Sequence, residues 1–394
     1  MAENKRLLFL SSLDITGDRA YYDGVTKKNL LEIRTFKKLG YVVEYIVRVE
    51  NDVFLVDKEG CRVELTHYAG AFYKRMRRVY SALYDIYEVP DVIYVRYEGN
   101  SINMWRFLAK MKRKNPLIKI FAELPTYIGK WEPGTGFRGK LAFVVHRLKD
   151  IAYRMPIDYI LTFDNHKKIF GYKTIQIENF ADIEALPVKN NKENINGTFN
   201  ILAMAMMTPS HGFDRIIKGI YEYYKNGGKR KICLHLVGKG KVENNWLVLA
   251  DELGVRDSVV SHGLMYGKDL DNLFDVCHVG AGAIAIFRKK CQKASELKIR
   301  EYTARCLPFF YSAEEPQIVQ EKFCLKIPNN ENPVDIQRVI SFYNTVNESG
   351  VNKKMRDFAL KNFSSVPQLK KALEISEYNY ESVYTDEQRG MFDR

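Results

Sequence analysis

The sequence holds no apolar run long enough to cross a membrane. A span needs roughly 20 such residues, and the longest candidate, "VGAGAIAIF" (Val279–Phe287), reads as a buried strand region. A secretory leader is not expected. "MAENKRLLFLSS" starts basic, but its apolar run of about four residues falls short of the roughly 7–15 that a leader uses. Cys61, Cys233, Cys277, Cys291, Cys306 and Cys324 never pair as C-x-x-C, so neither a zinc site nor a disulfide framework is indicated. The expectation is free, mostly buried thiols in a cytoplasmic protein. No glycine-rich loop carries the third glycine of a dinucleotide fingerprint. "LVGKGKVENN" has Gly238 and Gly240 only, and no acid stands at the ribose spacing. Hydride chemistry is therefore disfavoured.

What is present is enough for two cores. The chain has 394 residues, 46% of them hydrophobic, which is more than one ordinary domain needs. Its net charge of +13, from 61 basic and 48 acidic residues, suits a polyanionic partner: nucleic acid, an anionic membrane surface or a phosphorylated substrate.

Strand-like and helix-like runs alternate. "RLLFLSS", the helix "TKKNLLEIRTFKKLG" and "YVVEYIV" form a βαβ opening. "DVFLVD" and "CRVELTH", separated by "KEG", read as a hairpin. "DVIYVRY", "IKIFAELP", "DYILTF" and "KTIQIEN" follow as strands. The pattern lapses in "LPVKNNKENINGT" and then restarts with "FNILAMAM". This predicts an α/β protein with two doubly wound domains facing across a cleft. The expected divisions are an N-terminal domain over 1–187, a linker over 188–198, a second domain over 199–365, and a C-terminal helical segment over 366–394 that can cross back to the first domain.

Three stretches carry candidate chemistry. In "MMTPSHGFDR" (Met206–Arg215), a strand, a short loop and a helix start surround what resembles a phosphate site, yet before the helix the loop offers only His211. "ASELKIREYTARCLPFFYS" places Lys298 on the first turn of a helix, suited to a phosphate, and Glu301 three residues on, able to accept two ribose hydroxyl bonds. The plain alternative is a surface Lys–Glu pair. "KDLDNL", with Asp269 and Asp271, reads as helix capping rather than a metal pair. A further stretch, "YKRMRRVY", sets Lys74, Arg75, Arg77 and Arg78 among tyrosines. It reads as a membrane-surface helix, a single-stranded nucleic-acid platform or a solvated face.

From Asn200 to Ser312 the order of "ILAMAMMTPSHGFDRII", "LHLVGKG", "LADELGVRDSVVSHGLMYGKDLDNLFDVC" and "SELKIREYTARCLPFFYS" resembles the donor domain of GT-B glycosyltransferases of the retaining family 4 type. "YYDGVTKKNLLEIRTFKKLGYVVEYI" and "TIQIENFADIE" resemble the first half less closely, with Phe180 where a glycine is usual. The resemblance implies a metal-independent hexosyltransferase. It would move a sugar from a nucleotide diphosphate donor, UDP-sugar favoured, to a glycan or lipid-linked saccharide in bacterial surface polysaccharide synthesis, with no cofactor. A nucleotide-sugar epimerase of the same fold, or a basic nucleic-acid binder, are the alternatives.

By the same resemblance, the donor would lie against Gly24, Ser210, Gly212, Gly238, Gly263, Leu264, Met265, Lys298 and Glu301. His211 and Lys298 would also serve catalysis. In the first domain, "YVRYEG" and "FAELPTY" end strands and so face the cleft, which makes Glu123 a catalytic candidate and Arg96, Thr126 and Tyr127 acceptor candidates, although Glu123 before Pro125 could equally stiffen a turn. Met206 and His211 stand where the family has Arg and Lys, and Lys293 stands where its first paired Glu would fall. A protonated His211 is then expected to supply charge, making donor affinity pH-sensitive between about pH 6 and 8. Membrane contact through Lys74, Arg75, Arg77 and Arg78, and no nucleic-acid partner, complete the expectation.

Overall fold

The computed structural model describes residues 5–11, 13–18, 23–70, 72–97, 101–124, 155–163, 166–190, 197–289, 292–315, 317–318, 321–348 and 350–375. The chain divides into two compact units, Met1–Glu178 with Ser365–Arg394, and Asn179–Ser364.

In the first unit the strands are β1 (Arg6–Leu10), β2 (Val42–Val49), β3 (Asp52–Val56), β4 (Arg62–His67), β5 (Val92–Arg96), β6 (Lys119–Glu123), β7 (Tyr159–Thr162), β8 (Lys168–Ile169) and β9 (Tyr172–Gln176). They form one sheet in the order β4-β3-β2-β1-β5-β6-β7-β9-β8. The inner strands from β2 to β9 run parallel, while β3, β4 and β8 are antiparallel additions. The expected hairpin is β3–β4. Its turn is held by the Asp57 carboxylate, which accepts from the Glu59 and Cys61 amides at 2.9 and 2.8 Å.

β1, β5, β6 and β7 are almost wholly buried because helices α1 (Gly24–Lys38), α2 (Phe72–Ile86) and α3 (Ile102–Lys114) cover a parallel sheet, leaving no strand face to water. α1 starts at Asp23, whose side chain caps the Val25 and Thr26 amides. It buries the apolar Leu31, Ile33 and Phe36, but also Lys28, Asn29, Glu32 and Thr35. On α2, Arg75 is buried and donates to the carbonyls of Tyr68 and Gly70. That corrects the expected basic surface, since Arg75 ties down the β4–α2 loop while Lys74, Arg77 and Arg78 stay exposed.

The second unit has β10 (Phe199–Met204), β11 (Ile232–Val237), β12 (Val259–Gly263), β13 (Val279–Ala281), β14 (Phe309–Tyr311) and β15 (Cys324–Lys326). Its helices are α4 (Asp214–Lys225), α5 (Glu243–Glu252), α6 (Gly267–Val276), α7 (Leu297–Ala304), α8 (Ile336–Glu348) and α9 (Asn352–Asn362). The sheet is all parallel in the order β12-β11-β10-β13-β14-β15. Strand order reverses between β10 and β13, so their carboxyl ends open the crevice where such sheets take ligands. Apolar clusters fill both faces, one around Phe213, Trp246 and Ile284, the other around Phe274, Tyr302 and Phe309.

The division falls after Glu178, ahead of the polar stretch from 188. Ala181 already bonds to Phe363 at 3.1 Å, Ile183 lies in the second core, and the Lys189 ammonium donates to Cys277. Residues 365–375 are helical and belong to the first unit, through Ser365 with Thr35 at 2.7 Å and Gln368 with the Glu178 amide at 3.1 Å. Among the described residues no helix is long and apolar enough to cross a membrane.

Candidate functional site

At the β10–β13 reversal, the loop after β10 is laced to the loop after β11. Ala205 donates to Val237 and Met207 to Lys239, both at 2.9 Å. The approach is so close that a Cβ on Gly238 would sit 1.9 Å from the Ala205 oxygen, and one on Gly240 2.0 Å from that of Met207. The Gly238 amide is itself spent on the Gly263 carbonyl at 2.6 Å. These glycines thus serve loop-to-loop packing, and Gly238 offers no amide to a donor, contrary to expectation. Met206, at the family's Arg position, stands 76% exposed.

The loop then makes a 3₁₀ turn, Pro209–His211. His211 Nδ1 accepts from the Thr208 amide at 3.2 Å and lies 3.1 Å from its hydroxyl, so the ring proton sits on Nε2. Burial, together with Lys298 and Lys289 nearby, pushes the His211 pKa down to about 2. In the free protein the ring is therefore a neutral Nε2–H donor, and Lys298 and Lys289 are the positive charges beside it. Ser210 is buried, its hydroxyl 3.0 Å from that of Thr208. Gly212 takes φ 69°, where a Cβ would meet the Ala285 methyl at 2.6 Å. The chain past β13 closes on this turn, with Ile284 donating to His211 at 3.0 Å and Ala285 to Ser210 at 3.3 Å. Arg288 grips Asp214 at 2.8 and 2.9 Å and the Pro209 carbonyl at 2.9 Å. Beneath, the buried Arg215 donates to Ile284, Pro328, Asn332 and the Asn330 side chain. Arg215 and Arg288 therefore fix the shape of the turn.

From the first turn of α7, Lys298 enters the same space. Its ammonium is buried, makes no hydrogen bond, faces the Glu296 carboxylate at 3.4 Å and lies 5.2 Å from the centre of the Phe213 ring. Burial lowers its pKa and Lys289 adds to this, against the pull of Glu296. Glu296 also accepts from the Ala283 amide at 2.9 and 3.1 Å. The plain Lys298–Glu301 pair does not form. Glu301 instead meets Arg305 at 3.0 Å, and Arg305 meets Asp271 at 2.6 Å. Tyr302 ties the two strand ends together: it accepts from the Met204 amide and reaches the Leu202 and Ala281 carbonyls, each at 3.3 Å. At the end of β12, Gly263 (φ 66°), exposed Leu264 and half-buried Met265 follow the His262–His235 hydrogen bond of 2.9 Å.

In the first unit the expected residues gather differently. Gly24 is exposed at the start of α1. Glu123, at the end of β6, has no exposed surface. It is held by Lys28 and by Arg96 at 3.1 Å, and Lys28 lies 3.4 Å from Glu32. Burial alone would raise the Glu123 pKa, but Lys28 and Arg96 outweigh it and hold it low. Burial and the neighbouring Glu123 push Glu32 up to about 7. Glu123 and Arg96 thus meet in one enclosed ion cluster with Lys28 and Glu32, at the carboxyl ends of β5 and β6. Thr126 and Tyr127 lie outside the described residues. Among the described residues, Asp57, Glu59 and Cys61 are close enough to share a cation, but the Asp57 turn already accounts for that closeness.

Sequence reasoning passed over Glu296, Arg288, Lys289 and Arg215. A cation-rich "FRKK" starting six residues past the end of β13 was the one available signal for the two around 288.

No protein-family model matches the chain, and no curated protein matches it. Solved structures are similar along nearly its whole length. Sucrose-phosphate synthase of Thermosynechococcus elongatus superposes with a TM-score of 0.66 at 12% identity, over 97% of this chain and 100% of that one. WaaG, a glycosyltransferase involved in lipopolysaccharide biosynthesis, gives 0.57 at 13%, over 93% and 99%. Anabaena Alr3699/HepE in complex with UDP-glucose gives 0.56 at 14%, over 95% and 100%. At such identities the likeness establishes the fold, which is GT-B, with two Rossmann-like domains.

Proposed function

We propose that this chain is a glycosyltransferase and that its second unit binds a nucleotide diphosphate sugar, UDP-sugar favoured. The buried Lys298 ammonium, which faces only the Glu296 carboxylate at 3.4 Å, carries this reading. One carboxylate at that distance leaves most of the ammonium's three N–H donors unsatisfied, a cost that a second anion in the same space removes. Beside the ammonium stand the His211 Nε2–H, the Lys289 side chain and the positive end of the α4 dipole, which suit a diphosphate even though the Arg215, Ile216 and Ile217 amides already bond to the Gly212 and Phe213 carbonyls. Glu301 would take the ribose and the Gly263–Met265 segment the base. The Alr3699/HepE complex with UDP-glucose supports the choice of base and sugar class.

Transfer breaks the bond from the sugar anomeric carbon to the diphosphate and forms one to an acceptor hydroxyl, whose proton is released. Lys298, Lys289 and the helix start stabilise the charge that grows on the leaving diphosphate. His211 donates a hydrogen bond without changing its own charge. The proposed acceptor is a glycan or lipid-linked saccharide of bacterial surface polysaccharide synthesis, with retained configuration and no metal in the step.

Calorimetric titration with UDP, GDP and ADP tests the donor site, with UDP expected to bind in the micromolar-to-millimolar range. Binding of none of the three removes it. Incubation with a panel of nucleotide sugars, with and without a lipid-pyrophosphate saccharide, separates transfer from acceptor-free epimerisation, and NMR of the new anomeric centre reads its configuration.

A further inference from the structure

The basic excess of the chain is not spread evenly. Helices α2 and α3, of 15 and 13 residues, hold nine Lys or Arg against one acid, Asp85, and so carry eight of the net thirteen charges. The two helices lie side by side: Asn103 donates to the Arg77 carbonyl at 2.8 Å, and Lys110 reaches the carbonyl of Tyr84. Their inner faces bury Val79, Leu83, Phe107, Leu108 and Met111, so most of the cations are left on the outer faces, with Arg75 buried and Lys110 and Lys112 half-buried. There Lys74, Arg77 and Arg78 recur at helical spacing on α2, and Arg106, Lys110 and Arg113 on α3. Among the described residues, the ion pair on these helices is Lys112 with Asp158, which leaves those six without an acid.

We propose that this face docks on an anionic phospholipid bilayer surface. A two-helix face of cations without a paired acid matches such a surface in charge. Exposed Ile102 and Ile86 stand at its two ends and supply apolar contacts at headgroup depth. A single-stranded nucleic acid would need open aromatic faces for base stacking. Here the Tyr68 ring is covered by Arg78 at 4.5 Å, and the Tyr84 ring by Arg106 at 5.4 Å and Lys110 at 4.3 Å. The inference does not depend on the donor-site reading.

The test is sedimentation of the full chain with phosphatidylcholine vesicles, with and without about a third phosphatidylglycerol. Arg77→Glu/Arg78→Glu and Arg106→Glu/Arg113→Glu are compared with Lys353→Glu/Lys354→Glu, an equal charge change at exposed positions of the second unit. Binding should require the anionic lipid and be lost in about 0.5 M salt. Either first-unit variant should bind at least about twentyfold more weakly, at roughly fivefold per removed charge, while the second-unit variant binds like the parent. Circular dichroism guards against misfolding, and Arg77→Gln/Arg78→Gln repeats the test without added acids. Equal losses in all variants would reduce the effect to bulk charge and overturn the proposal. So would tighter binding of an oligonucleotide than of vesicles through the same residues, or no vesicle binding at all.

Discussion

Replacing Lys298 separates a ligand-binding cation from a structural one. In the free protein its ammonium is buried, has no hydrogen bond and faces one carboxylate, Glu296, at 3.4 Å. Lys298→Met keeps the length of the chain and its packing on the Phe213 ring, 5.2 Å away, but leaves Glu296 with only the Ala283 amide. The single variant should therefore lose some stability, as one half of a buried pair does. Lys298→Met/Glu296→Gln removes both charges, keeps the acceptor for Ala283, and should recover a melting temperature near that of the parent. Affinity behaves differently. One charge-assisted bond to the diphosphate is worth about 1.5–3 kcal/mol, so UDP should bind roughly 10–150-fold more weakly to both variants. Calorimetry with UDP, alongside thermal unfolding, reads the two effects separately. A double variant that binds UDP as tightly as the parent would refute the reasoning, because Lys298 would then be only the partner of Glu296.

His211, with its pKa pushed down to about 2, has no ionisation between about pH 6 and 8 in the free protein. The UDP affinity of His211→Ala should run parallel to that of the parent over this range, offset by about 1 kcal/mol for one lost hydrogen bond, and profiles that diverge through the ordinary histidine range would show that the ring protonates on binding. Glu301→Ala should weaken UDP by about 1–3 kcal/mol, measured by the same titration, whereas unchanged affinity would confine Glu301 to its network with Arg305 and Asp271. Glu32 has its folded pKa raised to about 7, above the ordinary carboxylate value, so its contribution is full below about pH 4.5 and fades as pH rises toward 7. Glu32→Gln should flatten the fall in melting temperature of the first unit between about pH 5 and 8, by an amount of order 2 kcal/mol; equal slopes in parent and variant would contradict the assignment.

The parts legible in the sequence were those written in local pattern. "FNILAMA" and "KICLHLV" are apolar runs that became β10 and β11, and the loop-helix junction at Gly212 followed from spacing alone. The hairpin β3–β4 was visible in its short polar turn. What could not be read depends on contacts between distant residues. Arg215 reaches Ile284, Pro328 and Asn332, and no spacing rule joins residues so far apart. Gly238 looked like a phosphate-loop glycine, yet the Ala205 carbonyl occupies the space of its missing side chain. Glu123 ended a strand at the ligand edge, as a catalytic acid would. Its neighbours Lys28 and Glu32 come from α1, whose buried polar face an apolar-periodicity reading does not register. The charge sought in "MMTPSHG" came from α7 and from the turn after β13, elements that fold back on the loop from about 80 residues away.

The central claim is that the second unit holds a nucleotide diphosphate between Lys298, His211 and the start of α4. A crystal structure of the chain with UDP tests it most directly. Diphosphate density is expected within hydrogen-bond reach of Lys298 Nζ and His211 Nε2, with the ribose beside Glu301. Density for UDP elsewhere on the chain, with Lys298 still facing only Glu296, would contradict it.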